Sequence, residues 1–283
     1  MSEADALNTA EWLEACRRSS AAIQGMLADR PKLAQRVLET GTVGSGGDRT
    51  LEIDAEAEAI VFSELERLHG RGHRFRAISE ERGEVSFGGT DLVVVVDPID
   101  GSLNAKRGLA PHALAVALAT GNTMADVCFG YVFEFSSCQE WRAERGQGAY
   151  LNGCLIDPAE QERRTQEGKL ELLGIESLDP RRLSVIARGV EQSAHRMRIL
   201  GAIAPALCQV AGARLDGLVS MRRCRCVDAA AAQLIVREAG GYISFPEIPD
   251  AGSAPLDMLP RSAVAAARSQ ATLAELERLC LDR

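Results

Sequence analysis

Two hydrophobic periods alternate along this chain, and the changes between them mark out its elements. Residues 3–28 gather Ala and Leu on one face of a Glu- and Arg-studded stretch, the repeat of one long helix. Ile53, Ala57, Ile60, Val61 and Leu65 repeat that spacing and predict a second helix, with Asp54 in its first turn near the buried face. Short apolar runs at 75–79, 91–97, 113–117, 127–133 and 139–142 read as strands, so the first half is α+β around an antiparallel sheet. The polar stretch from Asp157 to Asp179 reads as an insertion or linker. After it, 183–187, a helix near 192–198, a helix near 202–212, a strand at 215–221 and an Ala-rich helix starting at Asp228 alternate in α/β fashion. A strand at 263–267 and a terminal helix close the chain. The expected organisation is an N-terminal half, 1–156, a connecting segment, 157–182, and a C-terminal half, 183–283.

One strand leads into chemistry. Leu92-Val93-Val94-Val95-Val96 reads as a strand buried on both faces, and it runs straight into Asp97-Pro98-Ile99-Asp100-Gly101-Ser102. Pro98 fixes φ and keeps Asp97 extended, so the turn is stiff. Two ionised carboxylates ~4 Å apart repel by roughly 4 kcal/mol at an effective dielectric of ~20. Gathering them calls for a shared proton or bound cations, and Gly101-Ser102 offers backbone N–H groups and a hydroxyl suited to phosphate. The same residues equally fit an ordinary turn with one Asx bond.

Other elements also end or begin at acids. Glu80-Glu81 ends the strand 76–79 before Gly83, and Asp54 and Asp228 open helices. Singly, the helix-start acids fit the dipole and the Glu pair fits a solvated turn. Four acidic terminations together point to a metal site.

These residues carry a family resemblance. Glu80-Glu81, Asp97-Pro98-Ile99-Asp100-Gly101-Ser102 and Val227-Asp228-Ala229-Ala230 resemble the signature motifs of the inositol monophosphatase family, the lithium-sensitive, Mg²⁺-dependent sugar phosphatases that include fructose-1,6-bisphosphatases. Gly146-Gln147-Gly148-Ala149-Tyr150-Leu151-Asn152-Gly153 resembles the family's glycine-rich hairpin. Residues 198–202 through 212–217 resemble its late helix and following strand, so the similarity spans roughly residues 41 to 270. The resemblance implies a five-layer αβαβα sandwich with the active site between its halves, a homodimer, and two or three Mg²⁺ per site. It makes Glu80, Asp97 and the Ile99 carbonyl ligands of a first ion, and Asp97, Asp100 and Asp228 ligands of a second. Asp54 assists a weaker third and pairs with the Ser102 hydroxyl. In the family mechanism a metal-bound water, oriented by Ser102 and Glu80, attacks phosphorus in line while the N–H groups of Gly101 and Ser102 hold phosphate oxygens.

Some positions depart from the commonest family pattern. Ser102 stands where Thr is usual, Val227 where Trp is frequent, and Ala232 where Gly is usual. Gly46-Gly47-Asp48-Arg49-Thr50 is closer to the version in archaeal enzymes that act on both inositol phosphate and fructose bisphosphate. Arg222, Arg223 and Arg225 lead up to Asp228, and Arg196 and Arg198 form a second basic group. Each fits a surface arginine, but a bisphosphate needs a cation for its second phosphate, which an Arg fork binds in bidentate fashion.

Composition narrows the partners. The formal net charge of -8 disfavours nucleic acid, and no apolar run reaches membrane length. The N-terminus lacks a basic and apolar leader, which with 8 cysteines read as small reduced hydrophobes points to the cytoplasm. The expected activity is a Mg²⁺-dependent phosphomonoesterase for a small sugar or cyclitol phosphate, inositol 1-phosphate or fructose 1,6-bisphosphate. The alternatives are an adenosine 3′,5′-bisphosphate phosphatase and a non-catalytic regulatory relative.

Overall fold

The computed structural model describes residues 8–45 and 49–281. The start of the first expected helix and the Asp48 segment, 46–48, lie outside the described residues. Helix α1 (Thr9–Ala28) is followed by the short α2 (Leu33–Arg36), the hairpin β1 (Glu39–Val43) and β2 (Arg49–Leu51), and α3 (Glu52–Gly70). A seven-stranded sheet comes next: β3 (Phe75–Ser79), β4 (Gly83–Asp100), β5 (Ala113–Ala119), β6 (Val127–Glu134), β7 (Gln139–Glu144), β8 (Ala149–Leu151) and β9 (Cys154–Leu155), in that order, with α4 (Ser102–Arg107) after β4. The strands from β4 to β9 pair antiparallel.

The second half contains β10 (Leu170–Glu176), α5 (Leu183–Ser193), β11 (Ala194–Arg198), α6 (Ile203–Ala211), β12 (Gly217–Ser220), α7 (Cys226–Glu238), β13 (Tyr242–Ser244), β14 (Ala265–Ala267) and α8 (Gln270–Leu281). Its five strands form a mixed sheet ordered β11-β10-β12-β14-β13. Three apolar cores separate five layers. One joins α1 and α3 to the first sheet, one sets α6 and α7 between the sheets, and one packs the second sheet on α5 and α8. This is the αβαβα sandwich implied by the resemblance.

The middle layer is close-packed because its side chains are small. Ala113, Ala115, Ala117 and Ala119 put methyls on the face of β5 toward α7, whose Ala229, Ala230, Ala231 and Ala232 are also buried. On β6 a Cβ at Gly130 would stand 2.5 Å from the Ala231 carbonyl oxygen, so only glycine admits the helix this close. The start of α7, and Asp228 with it, is thereby pressed toward the end of β4.

Several expectations are corrected. Residues 183–187 belong to a helix, with Ile186 and Val190 one turn apart on the core side, and 194–198 form a strand rather than a helix. Only Ala194 of β11 is buried, so its extended form comes from main-chain pairing with β10, from Leu170↔Ala194 to Gly174↔Arg198. β10 itself lies inside the stretch read as a linker, where flanking charge masks Leu170, Leu173 and Ile175. β4 is also longer than expected. Its first part pairs with β3 in descending register, Phe75↔Phe87 to Ser79↔Gly83. After Gly88-Gly89 it returns on the other side in ascending register, Arg76↔Val93 to Ser79↔Val96. Among the described residues no helix is long and apolar enough to cross a membrane. All eight cysteines are free thiols, of which Cys138 and Cys154 are exposed rather than buried as small hydrophobes.

Candidate active site

The segment Asp97-Pro98-Ile99-Asp100 is not a free turn. It continues β4 as a bulge, with Asp97 opposite Ala115 and Asp100 opposite Ala113. In a regular strand, residues three apart point to opposite faces. The extra residue restores parity, because directly opposed side chains share a face. Ala113 and Ala115 both face the middle layer, so Asp97 and Asp100 do too. Asp97 Oδ1 accepts from the Ile99 N–H at 3.1 Å, and Asp100 Oδ2 accepts from the Ala204 N–H at the start of α6 at 2.6 Å. Gly101 then takes φ +87°, and a Cβ there would meet the Ala202 Cβ at 2.9 Å.

The remaining acids arrive on three other elements. Asp228 sits in the first turn of α7, with Oδ2 accepting the Arg225 N–H at 2.7 Å. Glu80 lies in the β3–β4 turn, which α3 fastens through Glu58. That buried carboxylate accepts from the Ser79 hydroxyl and the Arg82 N–H, and pairs with the Arg82 guanidinium at 3.2 Å. The neighbouring Glu81 accepts from the Thr50 hydroxyl. Asp54 is buried in the first turn of α3, and its Oδ1 has no hydrogen-bond partner among the described residues. The Ser102 hydroxyl lies beside Asp54 and donates to the Ile99 carbonyl at 2.9 Å.

Burial and mutual repulsion hold Asp54, Glu80, Asp97 and Asp100 above their ordinary titration range. Asp54 is pushed up to about 7, by burial first and by the Glu81 charge second, with the Ser102 hydroxyl opposing. Glu80 is pushed up to about 7 by burial and by Asp228, against the pull of Arg225. Asp97 and Asp100 are raised well above a normal aspartate by burial and by the surrounding acids. As they stand, no group of three or more His, Cys, Asp or Glu among the described residues is arranged to hold a metal ion. The Arg225 guanidinium is placed among them instead, 2.7 Å from Glu80 Oε1 and 3.3 Å from Asp228 Oδ1. The donor set still fits a hard divalent cation: every candidate donor is an oxygen, and the charge that burial penalises is the charge a cation would neutralise.

The arginines divide. Arg222, Arg223 and Arg225 line one 430 Å³ cavity together with Asp100 and Asp228. Arg222 is 3.1 Å from Asp179, Arg223 is 3.5 Å from Glu247, and both are more than half exposed. Arg196 and Arg198 are not brought to this cavity. They sit exposed on β11, where each guanidinium bonds a neighbouring backbone carbonyl.

Sequence reasoning missed two positioning residues. Glu176, at the end of β10, lines the cavity, and its two oxygens accept from Leu200 N–H at 2.8 Å and Gly201 N–H at 2.7 Å. Asn104 of α4 donates to the Pro111 and Leu200 carbonyls at 2.8 and 2.7 Å. An acid at a strand end was the available signal for Glu176, hidden because β10 was read as linker. Asn104 had no local signal, since its partners are distant in sequence.

Comparison with known proteins identifies the family. The model of the inositol monophosphatase family matches residues 9–280. A fructose-1,6-bisphosphatase/inositol-1-monophosphatase of Thermococcus kodakarensis is 37% identical over 203 residues, 70% of this chain and 70% of that protein. The protein of the same description from Archaeoglobus fulgidus is 29% identical over 273 residues, 95% of this chain and 96% of its own length. A solved inositol monophosphatase–fructose 1,6-bisphosphatase superposes with a TM-score of 0.79 at 25% identity, covering 95% of this chain and 99% of the other. The chain belongs to the inositol monophosphatase family and is a phosphoric monoester hydrolase.

Proposed function

We propose that the cavity at the end of β4 takes a small sugar or cyclitol phosphate, inositol 1-phosphate or fructose 1,6-bisphosphate, with Mg²⁺ as the working ion. The observation that carries this reading is the burial of Asp97, Asp100 and Asp228 with the nearby Glu80, next to the Gly101-Ser102 backbone, where Asp100 and Asp228 open onto a cavity walled by arginines. Glu80, Asp97 and the Ile99 carbonyl would hold one ion, Asp97, Asp100 and Asp228 a second, and Asp54 would assist a third. Bound there, Mg²⁺ supplies Lewis acidity that lowers the pKa of water and offsets charge on the phosphate and leaving oxygens.

The protein's own groups bind, orient and move protons. The N–H groups of Gly101 and Ser102 donate to phosphate oxygens, fixing the ester against the bulge. The Ser102 hydroxyl orients the attacking water, and the Asp54 carboxylate beside it accepts a proton. Glu176 and Asn104 keep the 200–202 loop against Gly101, so the phosphate seat does not drift. Arg222 and Arg223 at the wall supply the charge for a second phosphate and favour a bisphosphate among the accepted substrates. The homodimer and a cytoplasmic location belong to the same proposal, the latter supported by eight free thiols.

The test is phosphate release from inositol 1-phosphate, fructose 1,6-bisphosphate, other sugar phosphates, histidinol phosphate and adenosine 3′,5′-bisphosphate, with and without EDTA. Release from the first two, lost on chelation and restored by Mg²⁺, is expected. Turnover that persists in excess EDTA refutes the metal assignment. A preference for the adenosine compound moves the substrate class, and no release from any compound favours the non-catalytic alternative.

A further inference from the structure

We propose that Arg225 is a tethered counter-cation that occupies the carboxylate cluster in the metal-free protein and is displaced when a divalent ion binds. This rests on the reading of Glu80, Asp97, Asp100 and Asp228 as metal-holding residues, and it adds a competitor built into the chain.

Three observations converge on Arg225. Its guanidinium bridges Glu80 of the β3–β4 turn and Asp228 of α7, two acids from different layers, and also feels Asp97. Residue 225 therefore engages both oxygens of Asp228: its N–H holds Oδ2 at 2.7 Å, and its guanidinium faces Oδ1 at 3.3 Å. With it there, no group of three or more His, Cys, Asp or Glu among the described residues is arranged to hold a metal ion. The side chain also borders open space. It is 18% exposed and forms part of the wall of the 430 Å³ cavity.

The physical consequence is competition between two cations for the same oxygens. A buried acid cluster without any positive charge is strongly unfavourable, so the arginine stabilises the metal-free fold. The same ion pairs must break before Glu80 and Asp228 Oδ1 can face an ion, which weakens metal binding. Asp228 Oδ2 keeps its N–H partner throughout, so the start of α7 does not unravel as the exchange occurs.

The test measures metal binding directly, on the full chain and without substrate. Isothermal titration of EDTA-stripped, dialysed protein with Mg²⁺, and with Mn²⁺ as a second probe, is run for wild type, Arg225→Gln and Arg225→Lys. Arg225→Gln should bind Mg²⁺ about tenfold more tightly or better, because no ion pair has to break first. In EDTA its melting temperature should fall below that of wild type, and saturating Mg²⁺ should close or reverse the gap. Lysine has a single ammonium and cannot span both carboxylates as the planar fork does, so Arg225→Lys should fall between the two. If Arg225→Gln folds only with metal present, the counter-cation role is upheld, and Arg225→Lys then reports the affinity change. Unchanged or weaker Mg²⁺ binding in the variants, with wild type binding normally, overturns the proposal and leaves the metal site intact. Absence of binding in wild type overturns the metal reading itself.

Discussion

Raising the pH should destabilise the metal-free protein, and Mg²⁺ should reduce that dependence. Asp54, Glu80 and Glu176 all titrate at about 7 in the folded chain, against 3.8 for a free Asp and 4.5 for a free Glu. Burial is the first cause in each case. Between about pH 5 and 7 the folded state therefore holds protons that the unfolded state has released, and stability falls as pH rises. One proton of difference is worth about 1.4 kcal/mol per pH unit. Three give about 4, to which Asp97 and Asp100, also raised by burial, add in the same direction, and allowing for coupling and water penetration leaves at least about 2–4 kcal/mol per pH unit. Acids held below their ordinary range, such as Glu134 and Asp126, are ionised in both states over this window and add no slope. The loss is comparable to the whole stability of a typical domain, about 5–15 kcal/mol, so the stripped protein should be marginal at neutral pH. Urea unfolding in EDTA at several pH values across this window measures the slope. Asp54→Asn removes one of the three groups and should reduce it by up to about 1.4 kcal/mol per pH unit. With excess Mg²⁺ the ligand carboxyls stay ionised, the slope flattens, and binding adds about 2.7 kcal/mol at a hundredfold excess over Kd. A metal-free stability that is flat or rises toward neutral pH would refute the reasoning.

The other expectations concern activity. Asp100→Asn and Asp228→Asn should each lower turnover at least ~100-fold with the circular dichroism spectrum unchanged, and near-normal turnover in either would remove that residue from the ligand set. Ser102→Ala should lower kcat with little change in KM, while Ser102→Thr retains activity; steady-state kinetics showing the loss in KM alone would make Ser102 a binding residue. Arg222→Ala and Arg223→Ala should raise KM for fructose 1,6-bisphosphate more than for inositol 1-phosphate, by about 1.5–3 kcal/mol per charged hydrogen bond lost. Equal effects on both substrates would leave a monophosphate site.

The site was legible wherever local chemistry was concentrated in a short stretch. Asp97, Asp100, Gly101 and Ser102 follow one another after an apolar run, and Asp54 and Asp228 open periodic helices, so their clustering pointed to a metal site and the family resemblance supplied their roles. The sequence also determined most of the fold, because amphipathic period and β-branched runs are local properties. Long-range pairing was not local, and there the tertiary structure decided. β10 was hidden by flanking charge and exists because two neighbouring strands pair with it. β11 is extended because β10 offers it main-chain partners, although only one of its residues is buried. The bulge that turns Asp97 and Asp100 to one face depends on the register with β5, which residue order alone does not specify. The arginines separate for the same reason. Five looked equivalent along the chain, but the second sheet carries Arg196 and Arg198 to an exposed edge strand, while the loop before α7 brings Arg225 among the acids. Sequence set which charges this protein has; the packing of small side chains between two sheets set which of them meet.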